Sequence, residues 1–251
     1  MNPLCKLVLA AVPLMGLAAC GGGDTEDRLD VADPTVRFVH ASAIAPNLTL
    51  FRANVAQSDA TNVAYRFASN YFDVGIGISD WPVKTAVGGA TVGTVSIDPV
   101  RGNKYTVVAL ATSGTSSGAY LIRDPYNKAL TSDSTRLRVM NASFNASNID
   151  LYINPVGTDI SRLSVAPQIP ATAFNTAGPA SGRDSIDVPG GTYQLTITTA
   201  GTKSVLFRSQ LSFGANKDIL LLTVPDPVVP TAIKTLMKIE GTAGTTDLPP
   251  S

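Results

Sequence analysis

Histidine, tryptophan and cysteine are nearly missing from this 251-residue chain, which has one His, one Trp and two Cys. A lone imidazole without thiol partners cannot assemble a zinc site, because four-coordinate zinc draws mainly on Cys and His; no metal or cofactor is expected. Both cysteines, Cys5 and Cys20, lie within the first twenty residues. No disulfide therefore staples the body of the chain, and the fold must stand on its packed core. A surplus of either charge is missing too, since 19 Lys and Arg face 19 Asp and Glu. That balance argues against the basic face a nucleic acid requires. Long apolar spans are lacking as well. The most apolar stretch, 7–19, is interrupted by Pro13 and falls short of the roughly 20 residues that cross a bilayer.

That stretch has a different use. Lys6 precedes it, and it closes on Leu17-Ala18-Ala19-Cys20. A basic start, a short apolar run and small residues at its end form an export signal. The four closing residues resemble the bacterial lipobox, whose cysteine is diacylated before the signal is removed. The resemblance implies that residues 1–19 are a lipoprotein signal peptide and that Cys20 becomes the lipid-bearing first residue. Acyl chains contribute roughly 0.8 kcal/mol per buried methylene, so several of them make a lasting anchor. Gly21 follows where many Gram-negative lipoproteins retained at the inner membrane carry aspartate, which implies the outer membrane, on its periplasmic face or at the cell surface. Residues 20–34 are Gly-rich and acidic with no apolar period, and are read as a flexible tether reaching roughly 20 Å.

An internal repeat sets the architecture. Val36-Arg37-Phe38-Val39-His40-Ala41-Ser42 runs on to Ala45-Pro46-Asn47-Leu48-Thr49-Leu50-Phe51. It overlies Leu137-Arg138-Val139-Met140-Asn141-Ala142-Ser143, continuing to Ala146-Ser147-Asn148-Ile149-Asp150-Leu151-Tyr152. The offset is 101 residues, the length of one compact domain. Leu48 and Leu50, like Ile149 and Leu151, alternate with their neighbours at the period of a strand. Farther on, Asn103-Lys104-Tyr105 parallels Asn216-Lys217-Asp218, each leading into a continuous apolar run of the kind a strand buried on both faces shows. Further strands are expected at 63–68, 72–78 and 91–97, and at 184–188, 193–198 and 203–213, with Gly88-Gly89 and Pro189-Gly190-Gly191 supplying reversals. About seven short strands per copy and no helical stripe read as an all-β chain of two tandem immunoglobulin-like β-sandwiches. The expected division is signal 1–19, tether 20–34, sandwiches at 35–130 and 131–226, and a C-terminal extension at 227–251 whose 233–239 segment could add an edge strand.

The opening Val36-Arg37-Phe38-Val39-His40-Ala41-Ser42 with Ala45-Pro46-Asn47-Leu48, and Tyr105-Thr106-Val107-Val108-Ala109, resemble a bacterial domain family of unknown function, DUF4397. Its members are exported, often tandem and frequently lipoproteins. The resemblance covers about 35–125 and 135–225. The second copy departs at Asn141, Ser147 and Asp218, which stand for the histidine, proline and tyrosine. The family brings no activity with it; it supports the fold and the address.

Catalytic candidates are thin. Gly114-Thr115-Ser116-Ser117-Gly118 spells the hydrolase nucleophile motif, but that motif needs a helix after the serine, and Ala119-Tyr120-Leu121-Ile122 reads as a strand. His40 aligns with Asn141, so it is read as a polar group completing a hydrogen-bond network at a strand end. Gly88–Gly93 lacks the lysine of a phosphate loop. Asp73, Asp80, Asp98, Asp184 and Asp187 lack calcium-loop spacing. The aromatics Tyr65, Phe67, Tyr71, Phe72 and Trp81 crowd the first copy. Most are read as core, with Tyr71 and Trp81 as candidate ligand contacts and Trp81, between Asp80 and Pro82 in an expected turn, as the ring most open to solvent. The expected function is a non-catalytic, lipid-anchored envelope protein with two interaction or structural modules. Its partners would be the membrane, through Cys20, and an envelope protein or polysaccharide. The alternative is a carbohydrate or small-ligand binding lipoprotein using the first copy's aromatics; a hydrolase ranks third.

Overall fold

A computed structural model describes residues 32–126 and 132–251; the signal, Cys20 and nearly all of the tether lie outside the described residues. The first repeat forms β1 (Thr35–Ala41), β2 (Leu48–Arg52), β3 (Val55–Ala56), β4 (Phe72–Asp73), β5 (Ser79–Thr85), β6 (Thr91–Ile97), β7 (Lys104–Ala111) and β8 (Ser117–Asp124). The second forms β9 (Ser134–Asn141), β10 (Asn148–Pro155), β11 (Ile169–Ala173), β12 (Ala177–Gly178), β13 (Ile186–Pro189) and β14 (Gly191–Thr199). It continues with β15 (Val205–Phe213), β16 (Lys217–Pro225), β17 (Ile233–Ile239) and β18 (Thr246–Asp247). The chain is all-β, and each repeat is a sandwich of two sheets.

In the first module the sheets run β4-β1-β7-β8 and β3-β2-β5-β6; in the second, β12-β9-β16-β17-β18, with β13 also on β9, and β11-β10-β14-β15. Both copies share one unusual pairing. The opening strand lies parallel to the strand after the Asn-Lys turn, β1 on β7 and β9 on β16. A parallel pair cannot be made by a hairpin, so the chain traverses the other sheet before returning. The repeat is therefore structural as well as sequential. The 233–239 segment forms β17, antiparallel to β16 over its full length; it holds the place in the second module that β8 holds on β7.

Strand register corrects the alignment of the copies by one residue. Thr35 pairs with Lys104 and Val36 with Tyr105, whereas Arg136 pairs with Asp218 and Leu137 with Ile219. Asp218 thus stands where Lys104 stands, and Ile219 takes the tyrosine's place. A slip of one exchanges the faces of a strand, so Asp218 faces away from its module's core, as Lys104 does.

Three apolar clusters result. Val36, Phe38, Tyr105, Val107 and Ala109 join Leu48, Leu50, Trp81, Val83 and Ile97 inside the first module. Leu137, Val139, Ile219 and Leu221 join Ile149, Leu151, Leu195, Ile197 and Phe213 inside the second. The alternate residues make a third cluster spanning both modules: Val39, Ala41, Val108, Leu110 and Ile122 with Met140, Ala142, Leu220, Leu222, Val224 and Leu236. Every residue of β1 and β7 is buried, since one face fills the sandwich and the other meets the neighbouring module. The continuous apolar runs of the sequence have this cause.

Three local expectations fail. Residues 63–68 make only isolated bridges, Leu48 with Val63 and Val39 with Ala68. Of the strand expected at 72–78, only Phe72–Asp73 forms one, β4. Ser79–Thr85, expected to hold a turn at Asp80-Trp81-Pro82, is strand β5, paired along its length with β6. Pro82 fits because the β2–β5 ladder has already stopped at Leu50 and Val83, a position where a missing N–H is tolerated. Gly88 and Gly89 do turn the chain with φ of 80° and 65°, as anticipated.

Candidate functional site at the junction of the modules

The two rings singled out in the first module take different roles. Trp81 is fully buried, with none of its surface exposed, and packs 6.5 Å from Phe72 with Arg52 5.5 Å over its ring. The expectation of a solvent-open Trp81 is overturned, because β5 turns its odd-numbered residues into the sandwich. Tyr71 is half-buried. Its hydroxyl lies 3.2 Å from the Thr106 hydroxyl. The Arg37 guanidinium sits 4.6 Å from its ring centroid and the Lys104 ammonium 5.0 Å. Burial pushes its pKa up to about 12, against the opposing pull of Arg37. Cations already occupy the ring, and Tyr71 belongs to the junction.

His40 behaves as the repeat implied. It is fully buried; its Nε2 lies 3.0 Å from the Pro46 carbonyl, and its Nδ1 accepts from the Ser42 N–H at 3.4 Å. Asn141 reproduces both contacts. Its Nδ2 donates to the Ala146 and Ser147 carbonyls at 2.9 and 3.5 Å, and its Oδ1 accepts from the Ser143 N–H at 3.3 Å and from the Thr223 hydroxyl at 2.9 Å. Either side chain ties the loop after the first strand to that strand's end. Burial lowers the His40 pKa, opposed by its bond to Pro46. Ser116, in the hydrolase-like spelling, is exposed in the hairpin between β7 and β8, with a strand after it.

Missed from sequence was the polar half of the junction. Strand β8 and the residues just after it bring Asp124 and Tyr126 of the first module onto Arg136 of β9, Asp218 of β16 and Glu240 just beyond β17. Arg136 donates to Asp124 Oδ1 at 3.0 Å and to Asp218 Oδ1 at 3.2 Å, its guanidinium 4.8 Å from the Tyr126 centroid. The Tyr126 hydroxyl donates to Asp218 Oδ2 at 3.1 Å. Lys104 pairs with Glu240 at 2.7 Å while lying 3.6 Å from the Tyr126 centroid. Arg37 donates to Thr106 Oγ1 at 2.9 Å. Its repeat counterpart Arg138 donates to the Pro179, Ala180 and Arg183 carbonyls and stands 3.5 Å from Asp124. Burial raises the pKa of Glu240, against the pull of Lys104, and burial together with the Asp218 charge raises that of Tyr126. These groups enclose a cavity of about 20 Å³, room for a water or two. One signal could have found the network: an arginine recurring inside a strand apolar on both faces, at Arg37 and Arg138.

A second recess, of about 600 Å³, lies at the open edge of the second sandwich between β15 and β17, lined by Leu206, Arg208, Ile233, Lys234, Asp247 and Pro249 among others. Arg208 Nε and Asp247 Oδ1 are buried there, and neither has a hydrogen-bond partner among the described residues. Among those residues no group of three or more His, Cys, Asp or Glu is placed to hold a metal ion.

A tandem sandwich of this kind, opened by the Arg-bearing strand, defines an all-β repeat module. The model of the family described as a domain of unknown function, DUF4397, matches residues 34–152; the match spans the whole first module and β9 with most of β10. No curated protein matches the chain. A solved structure from work on α-glucan recognition by family 41 carbohydrate-binding modules of streptococcal virulence factors aligns over 76% of this chain and 93% of its own. Its identity is 12% and its TM-score 0.26.

Proposed function

We propose that this chain is a non-catalytic lipoprotein of the bacterial envelope, anchored through Cys20, whose paired sandwiches serve as one rigid interaction or structural body. The observation that carries the reading is the junction. Strands β1, β7, β9 and β16 commit their second faces to each other, and the charges around that contact are paired across it. Flexibly linked domains meet mainly through polar faces; here an apolar cluster lies between the two modules beside the paired charges. The address rests on the Leu17-Ala18-Ala19-Cys20 sequence, and Gly21 directs it to the outer membrane. Metabolic labelling with palmitate tests the anchor. Label should enter the wild-type chain and not the Cys20→Ser variant, and a wild-type chain that takes up no label contradicts the reading.

A second reading, binding of a small polar or carbohydrate ligand, moves from the first module's aromatics to the recess at Arg208 and Asp247. Calorimetric titration with cell-wall and polysaccharide fragments tests it. Heat of binding lost in Asp247→Ala supports it, and no heat from any fragment removes it.

A further inference from the structure

Of the six large apolar side chains exposed in the first module, Ile44 and Val87 lie at one end, and Val55, Ile76, Ile78 and Val100 at the other. β1 and β7 both start there, β2 and β6 both finish there, and Pro34 delivers the chain from the tether. The loop after β4 closes this end: the Val74 N–H donates to the Pro34 carbonyl at 2.9 Å, and Arg52 donates to the Gly75 carbonyl at 2.7 Å and to the Ser79 hydroxyl at 3.2 Å. Between those fixed points the chain reads Gly75-Ile76-Gly77-Ile78, with Ile76 66% and Ile78 75% exposed. Val55, 67% exposed, follows the turn out of β2, and Val100, 45% exposed, sits in the loop whose Gly102 N–H donates to the Ala32 carbonyl at 3.0 Å. The fully exposed Leu163 hangs from the loop beyond β10. The Lys104–Glu240 and Arg136–Asp124 contacts bring that end of the second module alongside. Isoleucines pinned at the tip of a loop that is tied at both sides contribute nothing to either core.

We infer that this end is a membrane-contacting surface: Ile76 and Ile78, flanked by Val55 and Val100, enter the lipid interface and hold the double sandwich upright on the bilayer to which Cys20 is attached. The inference rests on the lipid-anchored reading and adds an orientation to it. Only residues 21–34 lie between Cys20 and the start of β1, so this is the end of the module that the anchor holds nearest the bilayer. Apolar groups held so near a bilayer partition into its interface. Charge does not supply the attraction. Asp33, Asp73, Asp80 and Asp98 are all exposed at or near this end, Arg52 is occupied by Gly75 and Ser79, and Arg101 lies 3.3 Å from Asp33. The contact is therefore apolar, independent of anionic lipid and insensitive to salt.

The test uses the full acylated chain, purified from membranes and placed in phosphatidylcholine vesicles, with an environment-sensitive fluorophore on Ile78→Cys or, at the opposite end, on Val87→Cys. Nitroxide-bearing acyl chains should quench the label at position 78 at least about twofold more than at 87, in low and high salt alike. Adding Ile76→Ser should lower quenching of a label on Val55→Cys. Equal quenching at 78 and 87 in protein that floats with the vesicles overturns the orientation and leaves the anchor standing. Protein that carries no acyl group and does not float overturns the anchor and the orientation together.

Discussion

Replacing Arg136 with methionine keeps the apolar stem of the side chain and removes the cation that joins the modules. Arg136 is 7% exposed, and the carboxylates it serves, Asp124 and Asp218, are 17% and 12% exposed. Breaking one side of a buried pair costs about 3–5 kcal/mol, because the abandoned charge stays out of water. Here the carboxylates keep other partners: Asp218 the Tyr126 hydroxyl at 3.1 Å, and Asp124 the Arg138 guanidinium at 3.5 Å. The expected loss is therefore nearer 2–4 kcal/mol. With a urea dependence of about 2 kcal/mol per molar, the unfolding midpoint should fall by about 1–2 M. The reporter is Trp81, the sole tryptophan and a core residue of the first module, whereas Arg136 belongs to the second. If the junction makes the modules one cooperative unit, Trp81 fluorescence and far-ultraviolet circular dichroism shift together and stay superimposed. Asp124→Asn added to Arg136→Met should recover part of the loss, as expected of directly coupled residues. A Trp81 transition that stays in place while the dichroism signal splits would show that the two modules unfold independently.

Trp81 emission should be blue-shifted and resist acrylamide in the native chain; red-shifted, readily quenched emission would contradict its burial. Ala is expected to fail at Gly93. A Cβ there would lie 2.5 Å from the Ala119 nitrogen and 2.9 Å from its Cβ, forcing apart β6 and β8 at a cost of about 1–3 kcal/mol, read as a lower melting temperature. His40 should make stability depend on pH. Its folded pKa is depressed by burial, so the unfolded chain takes up the proton first, and stability is lost as pH falls below about 6.5, towards the folded value. His40→Asn, which borrows the second module's residue, should flatten that part of the profile relative to wild type; an unchanged slope in urea titrations from pH 7 to 5 would count against the assignment.

Strand period, the 101-residue repeat and the absence of helical stripes made the all-β tandem architecture legible. The interchange of His40 with Asn141 foretold a structural hydrogen-bond role that both side chains fill. Legibility failed where two local signals disagreed. Asp80 and Pro82 read as a turn, although Trp81 and Val83 alternate as a strand should; tertiary burial of the indole decided the matter. Lys217-Asp218 was laid over Lys104-Tyr105 by spelling, and only the register of β9 on β16 showed Asp218 in the lysine's place. The junction was half visible. The apolar runs of β7 and β16 declared two buried faces, but which surface covered the second face, and that Asp124, Arg136, Asp218 and Glu240 would meet there, depends on contacts between residues up to 136 positions apart in sequence, as Lys104 and Glu240 are. No local pattern encodes such contacts.

Two sandwiches that share one buried junction must move as a single body. Spin labels on Val87→Cys in the first module and Val156→Cys in the second, both at exposed positions, measure this directly by double electron–electron resonance on the full chain. One narrow distance distribution, unchanged by salt, is expected. A broad distribution, as two beads on a flexible string would produce, would contradict it.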